Sequence, residues 1–553
     1  MRFGAACGFV GVTAAVWPGA VAQAQTRLNQ ADPSILERAL PRPGQPESAP
    51  ETPIITGPAA HVAPPLEAAP WVAAAIVVDG APEVPRSAFS SAIVPYIGRN
   101  LARDDLAALS RAVADSARKA GFPFASAYVA PQALASGVLH VRLDAGTISA
   151  VRVIGAVNAL ADRILTRALV TGQPVRREAL ERAILLVGDI PGVSVKTSQL
   201  IRQDGFGILL VTIAEDRLSA YAQVDNRGSK EIGPIRTTLL ANARGVFQPG
   251  DELGLLSSQT PFQPSEFVFV RARYSAPVDA DGSVLSASAS YGRANPGAAL
   301  SALNVVGESI DAAVRASTPL VRSRTRSLWA NVEFRGLRSD QTLLGSAFRN
   351  DRLATLTGSV NGSTAAGGGV LTGEVAMVVG LPIPGVTHEG DARTSRSDGD
   401  ARFVTWGYAL DWAKPLARHF SLVLSSEAQL ASRPLLATME IGAGGPAFGR
   451  AYDYAERTGD DGILGAGEFR ADAGAVLPGI IDRLQFYGSI DGGYVGNLRD
   501  GRGGGALLST ATGLRLGRVR VDGMVELAFP LNADRFDTGN RNPRLSFRLS
   551  RVF

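Results

Sequence analysis

From residue 217 to residue 553 the chain shows no helical periodicity, and apolar and polar residues alternate in one stretch after another. Successive side chains of an extended chain point to opposite faces, so a period of two builds strands with one apolar and one polar side. Phe420, Leu422, Leu424 and Ala428 interleave with Ser421, Ser425, Glu427 and Gln429. Ala330, Val332 and Phe334 interleave with Asn331, Glu333 and Arg335, and Val519, Val521, Val525, Leu527 and Phe529 with Arg518, Arg520, Asp522 and Glu526. A soluble sandwich also alternates, but two details point to a closed barrel in a membrane. Charges stand on nearly every polar face, as a water-filled lumen allows. The last strand places Leu545, Phe547, Leu549 and Phe553 on one face and Arg544, Ser546, Arg548 and Ser550 on the other, and it ends on the terminal aromatic Phe553. About 340 residues in strands of about 10 allow roughly 12 to 18 strands, an even number being expected.

Helical spans are excluded. Beyond the amino end no stretch of 18 apolar residues is uninterrupted, and the nearest, residues 367–386, is Gly-rich and contains Glu374. Only helices and closed barrels satisfy every backbone group in lipid, so a membrane all-β fold remains.

The amino end has Arg2, an uncharged stretch over 3–21, and Ala22-Gln23-Ala24, which together read as a signal peptide over 1–24 cut after Ala24. The single cysteine, Cys7, falls inside it. The exported chain therefore has no thiol for a disulfide framework or a Cys-based metal site, which fits the envelope of a Gram-negative bacterium. The net charge of +4 arises from 55 basic and 51 acidic residues scattered along the chain, so no nucleic-acid partner is expected.

Residues 25–70 hold one short helical candidate, Asp32 to Leu40, with Asp32 placed to cap and Pro33 in the first turn. The tract 41–70 carries Pro at short intervals and reads as a semi-rigid linker without a regular element. In 71–147 an apolar run over 72–78 reads as a strand. Leu106, Leu109, Val113 and Ala117 then recur at helical spacing up to Gly121, and strands follow at 127–129 and 138–143. The segment 148–216 repeats that order, with a strand at Val151-Arg152-Val153, helices near 165–169 and over 178–187, and a strand over 208–213. Two small α/β domains ahead of the barrel at 217–553 are the expected arm.

No catalytic residue, metal site or cofactor is expected. The histidines, His61, His140, His388 and His419, lie far apart, no Ser elbow or H-E-x-x-H pattern occurs, and neither arm unit holds a phosphate loop. Asp460-Asp461-Gly462 reads as a turn, because the ligand spacing of a calcium loop is missing.

Gly449-Arg450-Ala451-Tyr452, within 439–452 and followed by Gly459-Asp460 and 465–470, resembles the conserved loop of two-partner secretion transporters. These are the filamentous-haemagglutinin and haemolysin secretion proteins, relatives of the barrel assembly machinery. Their loop motif is Val-Arg-Gly-Tyr, so Arg450 and Tyr452 match while Gly449 and Ala451 depart. Ser489-Ile490-Asp491-Gly492-Gly493 resembles the family's second motif (Phe or Gly, any, Asp, any, Gly), with Ser at its first position. The resemblance implies that the loop arginine, Arg450, reaches down the lumen to Asp491 and locks the loop inside the barrel. The residues support this separately, because Asp491 shares parity with Gln485 and Ser489 opposite Leu484, Phe486 and Ile490 and so faces the lumen. An arginine can hold such a carboxylate with two parallel hydrogen bonds.

The arm shares the likeness. Gly98-Arg99-Asn100-Leu101, Gly121-Phe122-Pro123, Val129-Ala130-Pro131-Gln132 and Gly137-Val138-Leu139 resemble a first polypeptide-transport-associated (POTRA) domain, and 149–216 a second. Asp225-Asn226-Arg227-Gly228-Ser229, with Phe247 to Asp251, is similar to the family's first barrel hairpin, and Asp32 to Leu40 to its plug helix. The family likeness implies 16 transmembrane strands in the outer membrane, contact with its lipid, and insertion by the barrel assembly machinery through a terminal signal ending in Phe553. It also implies export of a large β-helical exoprotein, a cytolysin, adhesin or other, whose amino-terminal secretion domain the POTRA domains receive. Strands near 127–130 and 208–213 are candidates for binding it by strand addition. An assembly factor for other barrels is the closest rival, and two arm domains rather than three or more favour secretion. A passive porin needs no docking arm.

Overall fold

The computed structural model describes residues 28–29, 31–40, 54–56, 71–132, 137–203, 206–499 and 501–553. The expected cleavage site, Cys7 and His61 lie outside them.

Sixteen antiparallel strands close into a barrel, running from Leu218–Asp225 to Arg544–Val552. Each strand pairs with the next, and the last pairs back on the first from Tyr221 opposite Val552 to Asp225 opposite Arg548. The two-residue period sets the two faces. On the thirteenth strand, Arg483–Gly496, Tyr487, Ser489, Asp491 and Val495 are buried while Phe486, Ile490 and Tyr494 point outward. Val332, Phe334, Leu424, Phe469 and Leu549 likewise stand on the outer surface. Burying such a side chain contributes about 1.5–3 kcal/mol, so an outer wall lined with them is stable only against lipid. The fold is thus a membrane barrel, as expected, and not a sandwich.

The first arm unit has a three-stranded sheet in the order Ala75–Asp79, Val138–Asp144, Ser126–Tyr128. The helix Arg103–Lys119 covers it, burying Leu106, Leu109, Val113 and Ala117. Its first turn is held by Asp105, whose carboxylate accepts the Ala102 N–H at 2.9 Å. The expected strand over 72–78 is broken into Trp71–Val72 and Ala75–Asp79. The second unit packs helices Ala159–Leu169 and Arg177–Gly188 on a sheet, and Asn158 caps the first helix by accepting the N–H groups of Leu160 (3.1 Å) and Ala161 (3.0 Å).

That second sheet departs from the sequence reading in three ways. Its order is Ile54–Thr56, Val193–Gln203, Phe206–Glu215, Ala150–Ile154, and Val193–Gln203 was not anticipated. A register shift between Val195 and Thr197 breaks its alternation in the sequence. Ile54–Thr56 lies in the tract read as devoid of regular structure, yet pairs parallel with Thr197 to Gln199. Three Pro-free residues suffice, because the edge strand supplies the partner groups. Finally, Phe206–Glu215 is paired on both sides, so residues 208–213 offer no free edge for strand addition, whereas Ser126–Tyr128 is an edge strand.

The second unit abuts the barrel turns on the arm side. Arg322 grips Asp189 with two bonds of 2.7 Å, Glu181 accepts the Arg324 N–H at 2.6 Å, and Arg167 meets Asp281 at 2.9 Å. Gly250 (φ +86°) lets Leu160 come close, since a Cβ there would sit 2.5 Å from its Cδ2. Inside the lumen, Pro33–Leu36 forms a helical turn capped by Asp32, which accepts the Ser34 N–H at 2.9 Å. Leu36 and Leu40 pack with Ile232, Leu256, Phe267 and Phe269, and Ile35 packs with Ala437 and Ala455.

Candidate functional site inside the barrel

The loop between the eleventh and twelfth barrel strands, residues 432–460, folds back into the lumen from the end distal to the arm. Its stem is a small hairpin, Ile441–Ala443 against Arg457–Gly459. At its tip Gly449 adopts φ +93°, with its absent Cβ only 3.0 Å from the Gly444 Cα, so glycine suits this turn.

Asp491 receives the tip through the backbone. Its Oδ1 accepts the N–H groups of Gly449 (2.7 Å) and Arg450 (2.9 Å) and the Ser509 hydroxyl (2.6 Å), and its Oδ2 accepts the Ser489 hydroxyl at 3.4 Å. Ser489, where the family motif has Phe or Gly, thus adds a donor. The expected two-bond fork between Arg450 and Asp491 is absent. The guanidinium approaches Asp491 only through Nε at 3.4 Å, and its Nη1 turns to Glu468 (2.8 Å) and Glu526 (3.2 Å). With its backbone already held by Oδ1, the side chain reaches past Asp491 to carboxylates on the twelfth and fifteenth strands.

These carboxylates belong to a larger set. Arg515 binds Glu468 at 2.9 Å, Arg227 pairs with Glu526 and donates to the Arg450 carbonyl at 3.0 Å, and the Tyr487 hydroxyl donates to Glu526 at 2.8 Å. The Tyr487 ring lies 4.0 Å from the Arg515 guanidinium and 5.8 Å from that of Arg450. Arg470 also donates to Glu468, at 2.6 Å, so three carboxylates face four guanidiniums in a largely buried patch, which compensates charges that are costly to bury singly. Gly513 makes room, for a Cβ there would lie 2.6 Å from the Tyr487 ring.

Tyr452 is fully buried, with its hydroxyl 3.2 Å from the carbonyls of Leu508 and Ala533. Ala451, where the family has Gly, fills an apolar cluster with Ile441, Ala443, Leu464 and Val495. Gly493 serves the wall rather than the loop, since a Cβ would meet the Ile463 carbonyl at 2.3 Å. Phe553 stands apart on the outer surface, where its N–H donates to the Ala220 carbonyl at 2.8 Å across the seam. Parity reasoning missed Glu468, Glu526, Tyr487, Arg515 and Arg227, because it tells which side chains face inward but not which of them meet. Among the described residues no three His, Cys, Asp or Glu groups could hold a metal ion.

The model of the haemolysin secretion/activation protein family ShlB/FhaC/HecB matches residues 207–516, more than half of the chain. The protein belongs to this family. A ShlB-type POTRA domain model matches residues 72–146. The heme/hemopexin transporter protein HuxB of Haemophilus influenzae (strain 86-028NP) is 22% identical over 387 residues, covering 68% of this chain and 67% of that one. The fold is similar to that of CdiB from Escherichia coli, with a TM-score of 0.69 at 19% identity over 98% of this chain and all of that one. CdiB from Acinetobacter baumannii gives 0.60 at 18% identity over 97% and 98%. BamA from Haemophilus ducreyi lacking POTRA domains 1–3 gives 0.54 at 13% over 88% and 100%. This ShlB-type transporter is accordingly an outer-membrane two-partner secretion protein that exports an exoprotein. Its POTRA arm lies on the periplasmic side, and the loop carrying Arg450 enters from the cell exterior.

Proposed function

We propose that the transporter takes up a large β-helical exoprotein through two POTRA domains, at 71–147 and 148–216, and releases it through a gated barrel in which a latch of Arg450 and Asp491 holds the loop in the position needed for activity. The observation that carries this is the double acceptance of the Gly449 and Arg450 N–H groups by one buried carboxylate on the barrel wall. The Asp32 to Leu40 segment acts as a plug beside this loop, and Arg38 ties the two by donating to the Glu440 carbonyl at 3.0 Å. The open edge Ser126–Tyr128 supports reception of an extended client segment by strand addition, which uses main-chain bonds and tolerates varied side chains. Transport needs no catalysis, since folding of the client outside the cell supplies direction. The barrel assembly machinery inserts the chain by reading the terminal strand with Phe553, and the apolar outer face then meets lipid.

Arg450→Ala leaves three inward carboxylates with one fewer cation and weakens the loop position. Secretion of the exoprotein should fall at least tenfold while the barrel still migrates as a folded, heat-modifiable species. Secretion at the unmodified level by a folded Arg450→Ala barrel would sink the latch.

A further inference from the structure

The Asp491 site holds only the tip of the sixth extracellular loop; its two stems are held by a different arginine. Arg396 belongs to the fifth extracellular loop, residues 381–403, and its side chain is 4% exposed. Its Nε donates to Asp398 at 2.7 Å. Its Nη1 meets both oxygens of Asp460 (2.8 and 2.7 Å), Glu440 (3.2 Å) and the Asn497 side-chain oxygen (3.2 Å), and its Nη2 donates to the Leu498 carbonyl at 2.5 Å. Glu440 and Asp460 flank the stem hairpin on either side, and Asn497 and Leu498 begin the seventh loop. One guanidinium thus joins three loops. A Cβ on Gly501 would lie 2.2 Å from the Arg396 Nη2, so the seventh loop leaves room for this side chain.

Further contacts follow the same line. Asp460 also accepts the N–H groups of Leu435 (2.7 Å) and Leu498 (2.8 Å), and the Ser395 hydroxyl accepts the Ala437 N–H at 3.0 Å. Val386, Ala401 and Phe403 of the fifth loop pack on Leu435 and Leu436 of the sixth.

We infer that Arg396 is the positioning residue that clamps the fifth, sixth and seventh extracellular loops over the exit, and that the exoprotein leaves only when this clamp opens. The chemistry suits a reversible clasp. Charges taken from water are costly to bury, and when the loops swing outward each partner regains its hydration, which offsets the broken bonds. A joint made only of the apolar cluster would lose on opening without that return. The inference rests on reading the barrel as a gated exit, and it assigns the outer closure to residues separate from the Asp491 site.

The test uses the full-length transporter with three changes: Arg396→Ala, Arg396→Lys, and the pair Ser395→Cys with Ala437→Cys, whose only other thiol, Cys7, lies in the expected signal peptide. Resting conductance in planar bilayers should rise several-fold for Arg396→Ala. Lysine, a single point of charge that cannot span all three loops, should restore it only in part. The cysteine pair, once its cross-link is seen as a mobility shift, should stop secretion, and reductant should restore it. A folded Arg396→Ala barrel with unmodified conductance, or a cross-linked pair that secretes as before, would overturn the clamp. If Arg396→Ala does not assemble, the reversible cross-link decides alone. Normal secretion by Arg450→Ala beside a secretion block in the cross-linked pair would remove the Asp491 latch and leave the clamp standing.

Discussion

At the residue scale the lumen is organised around carboxylates that receive more than one donor. Asp491 takes two backbone N–H groups and two hydroxyls, and leaving a buried donor without an acceptor costs about 1–3 kcal/mol. Removing it therefore frees the tip of the loop more fully than removing the Arg450 side chain, which has other anchors in its own backbone. Asp491→Ala should raise hydrogen exchange across 447–453 by more than Arg450→Ala does, with the barrel strands unaffected. Equal protection of the tip in both variants would show that the side chain, not the backbone, holds the loop.

At the element scale the lumen segment and the wall are fitted by glycines. A Cβ on Gly292 would sit 2.4 Å from the Pro33 Cβ, and one on Gly307 would lie 1.7 Å from the Ala31 carbonyl. Both positions point inward, where their strands would otherwise carry a side chain. The charged contacts of the segment, Asp32 to the Ser339 hydroxyl at 2.5 Å and Glu37 to Arg271, hold it across the same wall. Gly292→Leu should displace the segment without unfolding the barrel, and raise conductance several-fold; unchanged conductance together with unchanged protection of 31–40 would show that the wall yields instead. The helical reading of Asp32 to Leu40 was legible because cap, proline and apolar spacing are local. Its seat was not, since the glycines that receive it lie more than 250 residues downstream.

At the scale of the whole molecule the closure is uneven. The first and last strands share five paired positions, from Tyr221 to Asp225, whereas the seventh and eighth share a ladder running from Arg326 opposite Thr364 to Leu343 opposite Ser346. Fewer cross-strand bonds mean lower local protection, so amides of 221–225 should exchange well before those of 328–338 in detergent-solubilised protein. Equal rates at the two sites would show that side chains at the seam, rather than its ladder, set its stability. The arm meets this barrel through Asp189, Glu181 and Asp281, contacts between elements more than 100 residues apart that no local pattern announces.

The sequence by itself determined the barrel, its lipid face and the inward direction of Arg544, Glu526 and Asp491, because the side of a strand on which a residue lies depends only on its parity. It also carried the motif residues Arg450 and Tyr452 by likeness to a family. Only the tertiary structure decided who meets whom. Glu468, Asp491 and Glu526 come together because the registers of four neighbouring strands align them, and a register is a relation between segments rather than a property of one. Asp460 shows the same limit. It read as part of a turn, yet it is fully buried against Arg396, and the next residue begins a barrel strand. Val193–Gln203 escaped notice because its bulge breaks the period, and Ile54–Thr56 because an edge it does not encode completes it. Parity is written locally; the pairing that turns inward charges into a latch and a clamp follows from closure of the barrel.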